Sequence, residues 1–126
     1  MTRYVLDTSF VIDHLRGDRA AQRRFARIFE EGDQPIVNEV VACEAWSGAP
    51  AQGDPALAAL MQVVEFVQPG PAAAERAGQW RQGARTRGHS LSLADALIAA
   101  SADDDAVVLT RNVRDFALTP VRTETY

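Results

Sequence analysis

The chain reads as an α/β protein with a mostly parallel sheet covered by helices on both faces, and three features of its sequence predict this. Short apolar runs alternate with longer segments of helical periodicity along most of its length. The runs Tyr4-Val5-Leu6 and Ala106-Val107-Val108-Leu109 are apolar at consecutive positions, as strands buried on both faces require. Polar and acidic residues follow each run directly: Asp7-Thr8-Ser9 after the first, and Thr110-Arg111-Asn112-Val113-Arg114-Asp115 after the second. In open α/β sheets ligands bind beyond the carboxyl ends of the strands, so these two places can converge on one crevice.

Composition bounds what the protein can be. Its 126 residues, 47% hydrophobic and 24% charged, suit a single domain over 1–126 that buries most of its apolar surface without staples. No run approaches the roughly 20 apolar residues of a membrane span, and the amino end lacks a basic-then-apolar leader pattern. A cytoplasmic protein with no membrane partner is expected. The one cysteine, Cys43, excludes an internal disulfide and a multi-cysteine zinc site, and its expected role is that of a small apolar filler. Any metal must then be held mostly by oxygen. All 13 basic residues are arginine, and the net charge of −4 argues against strong non-specific nucleic-acid binding by the whole surface. A local basic rim around an acidic centre is compatible with that charge.

Taken in order, Tyr4, Val5 and Leu6 form the first strand. Thr8 and Ser9 are residue types that open the next helix by accepting from its free N–H groups. Asp7 stands between the two, either as a turn or capping residue or as a carboxylate placed for chemistry. A helix over 18–31 carries Phe25, Ile28 and Phe29 on one face, with Arg19, Arg23, Arg24 and Arg27 elsewhere, first of all as a solvated face and otherwise to meet a phosphate backbone or an acidic partner, and Gly32-Asp33 stops it. A short strand at 34–37 leads to Asn38, a good N-cap for a helix over 39–47. On that helix Val37, Val41 and Ala45 make one row and Val40 and Glu44 the next, so Glu44 lies at the margin of the apolar face. An acid there must find a cation, a donor or water.

Beyond the loop at 48–54, Asp54-Pro55 starts a helix with Leu57, Leu60, Met61 and Val64 as its core row. Phe66-Val67 reads as a small strand or an extended link. From 71 to 86 the row Ala73, Ala77, Trp80 and Ala84 makes another amphipathic helix, closed at Arg87-Gly88, with His89 as a loop or capping group. The segment 91–102 is apolar almost all the way round a helix, which predicts cover on most sides, and Asp95 is its only charge. A capping box from Ser92 to Asp95 would explain that acid structurally, although a neutral cap would have served a buried helix as well. Asp103, Asp104 and Asp105 read as a solvated loop, and 119–123 adds a last strand.

Asp7, Glu44, Asp95 and Asp115 brought together would repel strongly unless cations neutralised them. Hard divalent ions with oxygen ligands, Mg²⁺ or Mn²⁺, answer that requirement.

These residues carry a family resemblance. Val-Leu-Asp7-Thr-Ser, Glu44 within Val-Ala-Cys-Glu-Ala-Trp-Ser-Gly, Ser-Leu-Ala-Asp95-Ala-Leu-Ile-Ala-Ala, and Val-Val-Leu-Thr-Arg-Asn112-Val-Arg-Asp115-Phe together resemble a PIN-domain protein. More narrowly they resemble the VapC-type toxins of bacterial toxin–antitoxin (VapBC) pairs. The resemblance spans almost the whole chain and rests on four motifs in the right order. It implies a three-layer αβα sandwich, a metal-dependent endoribonuclease acting on RNA, a homodimer, and a VapB-type antitoxin whose tail blocks the active-site groove. Asp7 and Asp95 map onto the family's core metal ligands, followed by Glu44; the fourth oxygen group comes from Asp115 or Asn112, with Asp115 favoured as the acid. Thr8, Ser9, Thr110 and Asn112 are then supporting residues, and Arg111 and Arg114 sit near enough in sequence to meet substrate phosphates.

Two other readings compete. The fold without turnover would bind a protein partner or RNA as a catalytically inactive module. A phosphoacceptor receiver domain also sets an aspartate at a strand end, but it expects a late lysine, and this chain has none.

Overall fold

A computed structural model of the chain describes residues 1–126. Its elements run β1 (Arg3–Leu6), α1 (Thr8–Leu15), α2 (Arg19–Glu30), β2 (Gln34–Val37), α3 (Glu39–Ser47) and α4 (Pro55–Val63), continuing with β3 (Glu65–Phe66), α5 (Gly70–Thr86), α6 (Leu93–Ala99), β4 (Val107–Leu109), α7 (Val113–Phe116) and β5 (Arg122–Glu124). The five strands form one sheet in the order β3-β2-β1-β4-β5, and every neighbouring pair is parallel.

Side chains alternate between faces along a strand, so a strand buried at every position is covered on both sides. Val5 and Leu6 in β1 and Val108 and Leu109 in β4 are fully buried, and Tyr4 and Val107 nearly so. The sheet is therefore the middle of three layers, with helices above and below, as expected. The main core gathers these strand residues with Phe10, Ile28, Val41, Leu57, Ile98 and Phe116. A second, smaller cluster of alanines and Leu91 joins α5 to α6. No helix is long and apolar enough to cross a membrane.

Strand order reverses at β1: the chain first builds outward through β2 to β3, then returns to place β4 on the other side of β1. The crevice between the carboxyl ends of β1 and β4 is thus the topological switch point, the usual ligand position in such sheets.

Several local expectations are corrected. Arg24 was placed on a solvated face, yet it is buried; its guanidinium lies over the Tyr4 ring at 4.5 Å and 3.5 Å from the Glu124 carboxylate. That partner is 100 residues away, so helix periodicity could not show it. Phe29, placed on the buried face, is 47% exposed and stacks edge-on against Phe25. Cys43 is not a core filler: it is exposed, because the buried residues of α3 are Val41 and Ala45. α6 is shorter than the apolar run, and Leu93 at its start is 58% exposed, so the helix is covered along Ala96, Ile98 and Ala99 and open at its first turn. Asp103 is exposed as expected but pairs with Arg3, which also meets Glu65 at 3.2 Å.

Candidate active site

Asp7 is the last residue before α1 and is 3% exposed. Its backbone holds it in the sheet, the N–H donating to Leu109 O at 3.0 Å. It occupies the N-cap position of α1 but makes no side-chain cap bond, unlike Asp18, Asn38, Asp54 and Ser92 at the starts of other helices. Instead its Oδ2 accepts from the Ser9 hydroxyl and the Thr110 hydroxyl, each at 2.8 Å. The carboxylate is oriented by two buried donors, and neither of its oxygens is spent on the backbone N–H groups of the helix.

Ser9 and Thr110 have further work. Ser9 Oγ accepts from the Arg111 N–H at 3.1 Å, and Thr110 Oγ1 accepts from the Asn112 N–H at 2.8 Å. These bonds tie the loop after β4 to the start of α1 across the switch point. The expectation that Thr8 and Ser9 cap the helix is corrected. Both lie inside its first turn, and both hydroxyls donate to carboxylates, Thr8 to Glu44 Oε1 at 2.5 Å.

Glu44 is exposed on α3, beside buried Ala45 and Val41, at the margin anticipated. The start of α3 is fixed by Asn38, whose Oδ1 accepts from the N–H groups of Val40 and Val41. Its amide also donates to Leu97 O at 3.1 Å and Ser101 Oγ at 2.7 Å, stitching α3 to the α6 region. The helices carrying Glu44 and Asp95 are thereby locked together.

Asp95 lies in the first turn of α6, half-buried. Ser92 Oγ accepts from the Asp95 N–H at 3.0 Å, but the reciprocal bond of a capping box is not formed. Its pKa is pushed up from 3.8 to about 6, first by burial and next by the negative charge of Asp7; Asp115 and Glu44 add to the rise and the Ser92 hydroxyl opposes it. Asp95 therefore feels all three other acids named from sequence. Asp115 is exposed on α7, while the Asn112 side chain is exposed and caps nothing.

The residues fit a hard cation in one specific sense. No group of three or more acidic, histidine or cysteine side chains is drawn close enough to form a ready metal cage. The donor set is nonetheless all oxygen, and four carboxylates share one field. An ion such as Mg²⁺ retains several of its waters, so it suits an open acidic site in which some carboxylates act through those waters. Two residues that sequence reading passed over complete the surroundings. Asp13, one turn beyond Ser9 on α1, accepts from Arg111 Nη1 and from the Tyr126 hydroxyl, both at 2.6 Å. The only sequence signal for Asp13 was its four-residue spacing from Ser9; Tyr126 had none.

The PIN domain profile matches residues 4–119. The chain is 32% identical over 117 residues to Ribonuclease VapC19 of Mycobacterium tuberculosis, covering 92% of this chain and 94% of the relative. Among solved structures it resembles VapBC2 from Rickettsia felis bound to a promoter DNA fragment, with TM-score 0.85 at 17% identity, covering 99% of each chain. It also resembles VapBC-1 from nontypeable Haemophilus influenzae, with TM-score 0.82 at 21% identity and 98% of each chain. The chain belongs to the PIN domain family.

Proposed function

We propose that the protein is a metal-dependent endoribonuclease, the toxin of a toxin–antitoxin pair, hydrolysing RNA phosphodiester bonds until a VapB-type antitoxin binds it. The observation that carries this reading is Asp7: a buried carboxylate at the switch point, oriented by Ser9 and Thr110, free of any capping duty and within the field of Asp95. The ribonuclease name of the 32% identical relative supports the reaction class, and the VapBC structures that share the fold support the kind of partner.

Asp7, Asp95, Glu44 and Asp115 would hold Mg²⁺, with Mn²⁺ able to replace it. A bound divalent ion supplies an activated water and stabilises charge on the phosphoryl and leaving oxygens. The chain's own residues do the positioning. Ser9 and Thr110 fix the Asp7 carboxylate, and Thr8 fixes Glu44. Arg111 and Arg114, both exposed just beyond β4, would meet substrate phosphates. No side-chain nucleophile is required. A homodimer is part of the same proposal.

The test is incubation of purified protein, freed of any partner, with total cellular RNA in Mg²⁺, in Mn²⁺ and with chelator. Discrete fragments in the two metal arms and none with chelator are expected. Intact RNA in every arm, from protein that binds Mn²⁺, would instead support the inactive binding module.

A further inference from the structure

We propose that Asp13 and Tyr126 form a latch that positions Arg111 to bind a phosphate of the RNA strand beside the acidic site, while keeping its guanidinium off the carboxylates. The inference rests on the nuclease reading above and adds two positioning residues to it.

The latch is built from both ends. The Asp13 side chain is 13% exposed, and its two oxygens are taken by different partners, Oδ1 by Arg111 Nη1 and Oδ2 by the Tyr126 hydroxyl. Tyr126 is held by packing, its ring meeting fully buried Phe10 edge-on with centroids 4.8 Å apart. Burial and the neighbouring Asp13 push the Tyr126 hydroxyl well above the usual phenol range, so it remains a donor throughout the physiological range. Arg111 is fixed a second time through its backbone, whose N–H donates to Ser9 Oγ, the hydroxyl that in turn donates to Asp7. One residue is thus tied by its main chain to the Asp7 support and by its side chain to Asp13.

The Arg111 side chain is 57% exposed, and an ion pair that open contributes little to stability. The pair is better explained by orientation. Arg111 spends Nη1 on Asp13 and makes no other side-chain hydrogen bond, leaving the remaining guanidinium donors for an anion. A fork of donors in a fixed plane matches phosphate oxygens in two-point contact. The hydrogen bonds of Arg111 to side chains run to Asp13 and Ser9, and none reaches Asp7, Glu44, Asp95 or Asp115. A guanidinium released from Asp13 would be drawn onto those acids and compete there with a cation.

The experiment is steady-state cleavage of one RNA fragment by the wild type, Arg111→Met, Asp13→Asn, Tyr126→Phe and the Asp13→Asn/Arg111→Met double variant, with the unfolding midpoint of each. Arg111→Met should raise KM about 10-fold with kcat changed less than about 3-fold, the pattern of lost substrate binding. Asp13→Asn should raise KM about 3–10-fold, and the double variant should be no worse than Arg111→Met, because the two residues act as one unit. Tyr126→Phe keeps the ring against Phe10 and should raise KM about 2–5-fold, so the latch is tested even if Asp13→Asn folds poorly. An unchanged KM in Arg111→Met, or an Asp13→Asn effect of the same size with and without Arg111, would overturn the latch while leaving the nuclease reading intact. A wild type that cuts no RNA would overturn both.

Discussion

The Thr110 hydroxyl donates to Asp7 Oδ2 at 2.8 Å, joining the ends of β4 and β1 across 103 residues of sequence. This bond couples folding of the second half of the chain to orientation of the carboxylate in the first. A site assembled in this way does not exist until the sheet does.

Replacing Thr110 by valine keeps the shape of a fully buried side chain but removes its oxygen. The Asn112 N–H then loses its acceptor and Asp7 loses one of its two donors. A loss of about 1–3 kcal/mol in stability is expected. Urea unfolding measures that cost, and cleavage by the folded variant should fall as well, since Asp7 is less firmly held. Full activity together with the stability loss would show that Ser9 alone orients Asp7.

Asn38 caps α3 and joins it to the α6 region through Leu97 and Ser101. Asn38→Ala removes the cap and both links, for a combined cost of roughly 2–3 kcal/mol. The midpoint of denaturant unfolding should fall accordingly, with an unchanged slope.

Asp95 gives a pH signature. Its folded value of about 6 lies above its ordinary 3.8, so between these limits the folded protein holds a proton that the unfolded chain has released. Stability contributed by this group is therefore lost as pH rises from about 4 to about 6, and the penalty is constant above that. In chelator, Asp95→Asn should unfold at a higher temperature than the wild type at pH 7, with the gap closing as pH falls towards 4. A gap that does not change with pH would contradict the electrostatic origin of the shift.

Metal addition offers an independent check, because a ligand that binds only the folded state raises its stability by RT ln(1 + [L]/Kd). Mn²⁺ should raise the unfolding midpoint of the wild type at pH 7.5, and chelator should reverse it. The rise should shrink in Glu44→Gln, which removes one of the proposed charged ligands while leaving an oxygen for the Thr8 hydroxyl.

The parallel α/β class was legible because Val5-Leu6 and Val107-Val108-Leu109 are apolar at consecutive positions, a pattern that a sheet covered on both faces imposes locally. Asp7, Glu44 and Asp95 stood out as acids at the edge of apolar patterns, although a cap or a surface position could account for each; only the folded chain shows that Asp7 makes no cap bond and that Asp95 lies in the field of Asp7 and Glu44. Arg24, Asp13 and Tyr126 were not legible. Their partners lie on distant elements, and nothing in a helical repeat distinguishes an arginine over Tyr4 from one in water. Cys43 was misjudged because a cysteine near an apolar row is compatible with either side of the helix margin, and only packing decides between them. Thr8 and Ser9 do not cap the helix as their type suggests, but the hydrogen bonds expected of them as supports for the acids are formed, since a hydroxyl at a helix start can donate to an acid as readily as it can accept from the backbone.

The most direct measurement is single-turnover RNA cleavage in Mg²⁺ by Asp7→Asn and Asp95→Asn, each compared with the wild type at matched folded fraction. Asparagine at position 7 can still accept from Ser9 and Thr110, so the fold should persist while the charge proposed to hold a cation is gone. Both variants should lose cleavage by at least about 100-fold, the scale on which losing several kcal/mol of transition-state stabilisation reads out. Cleavage at the wild-type rate by either folded variant would contradict the assignment of the site.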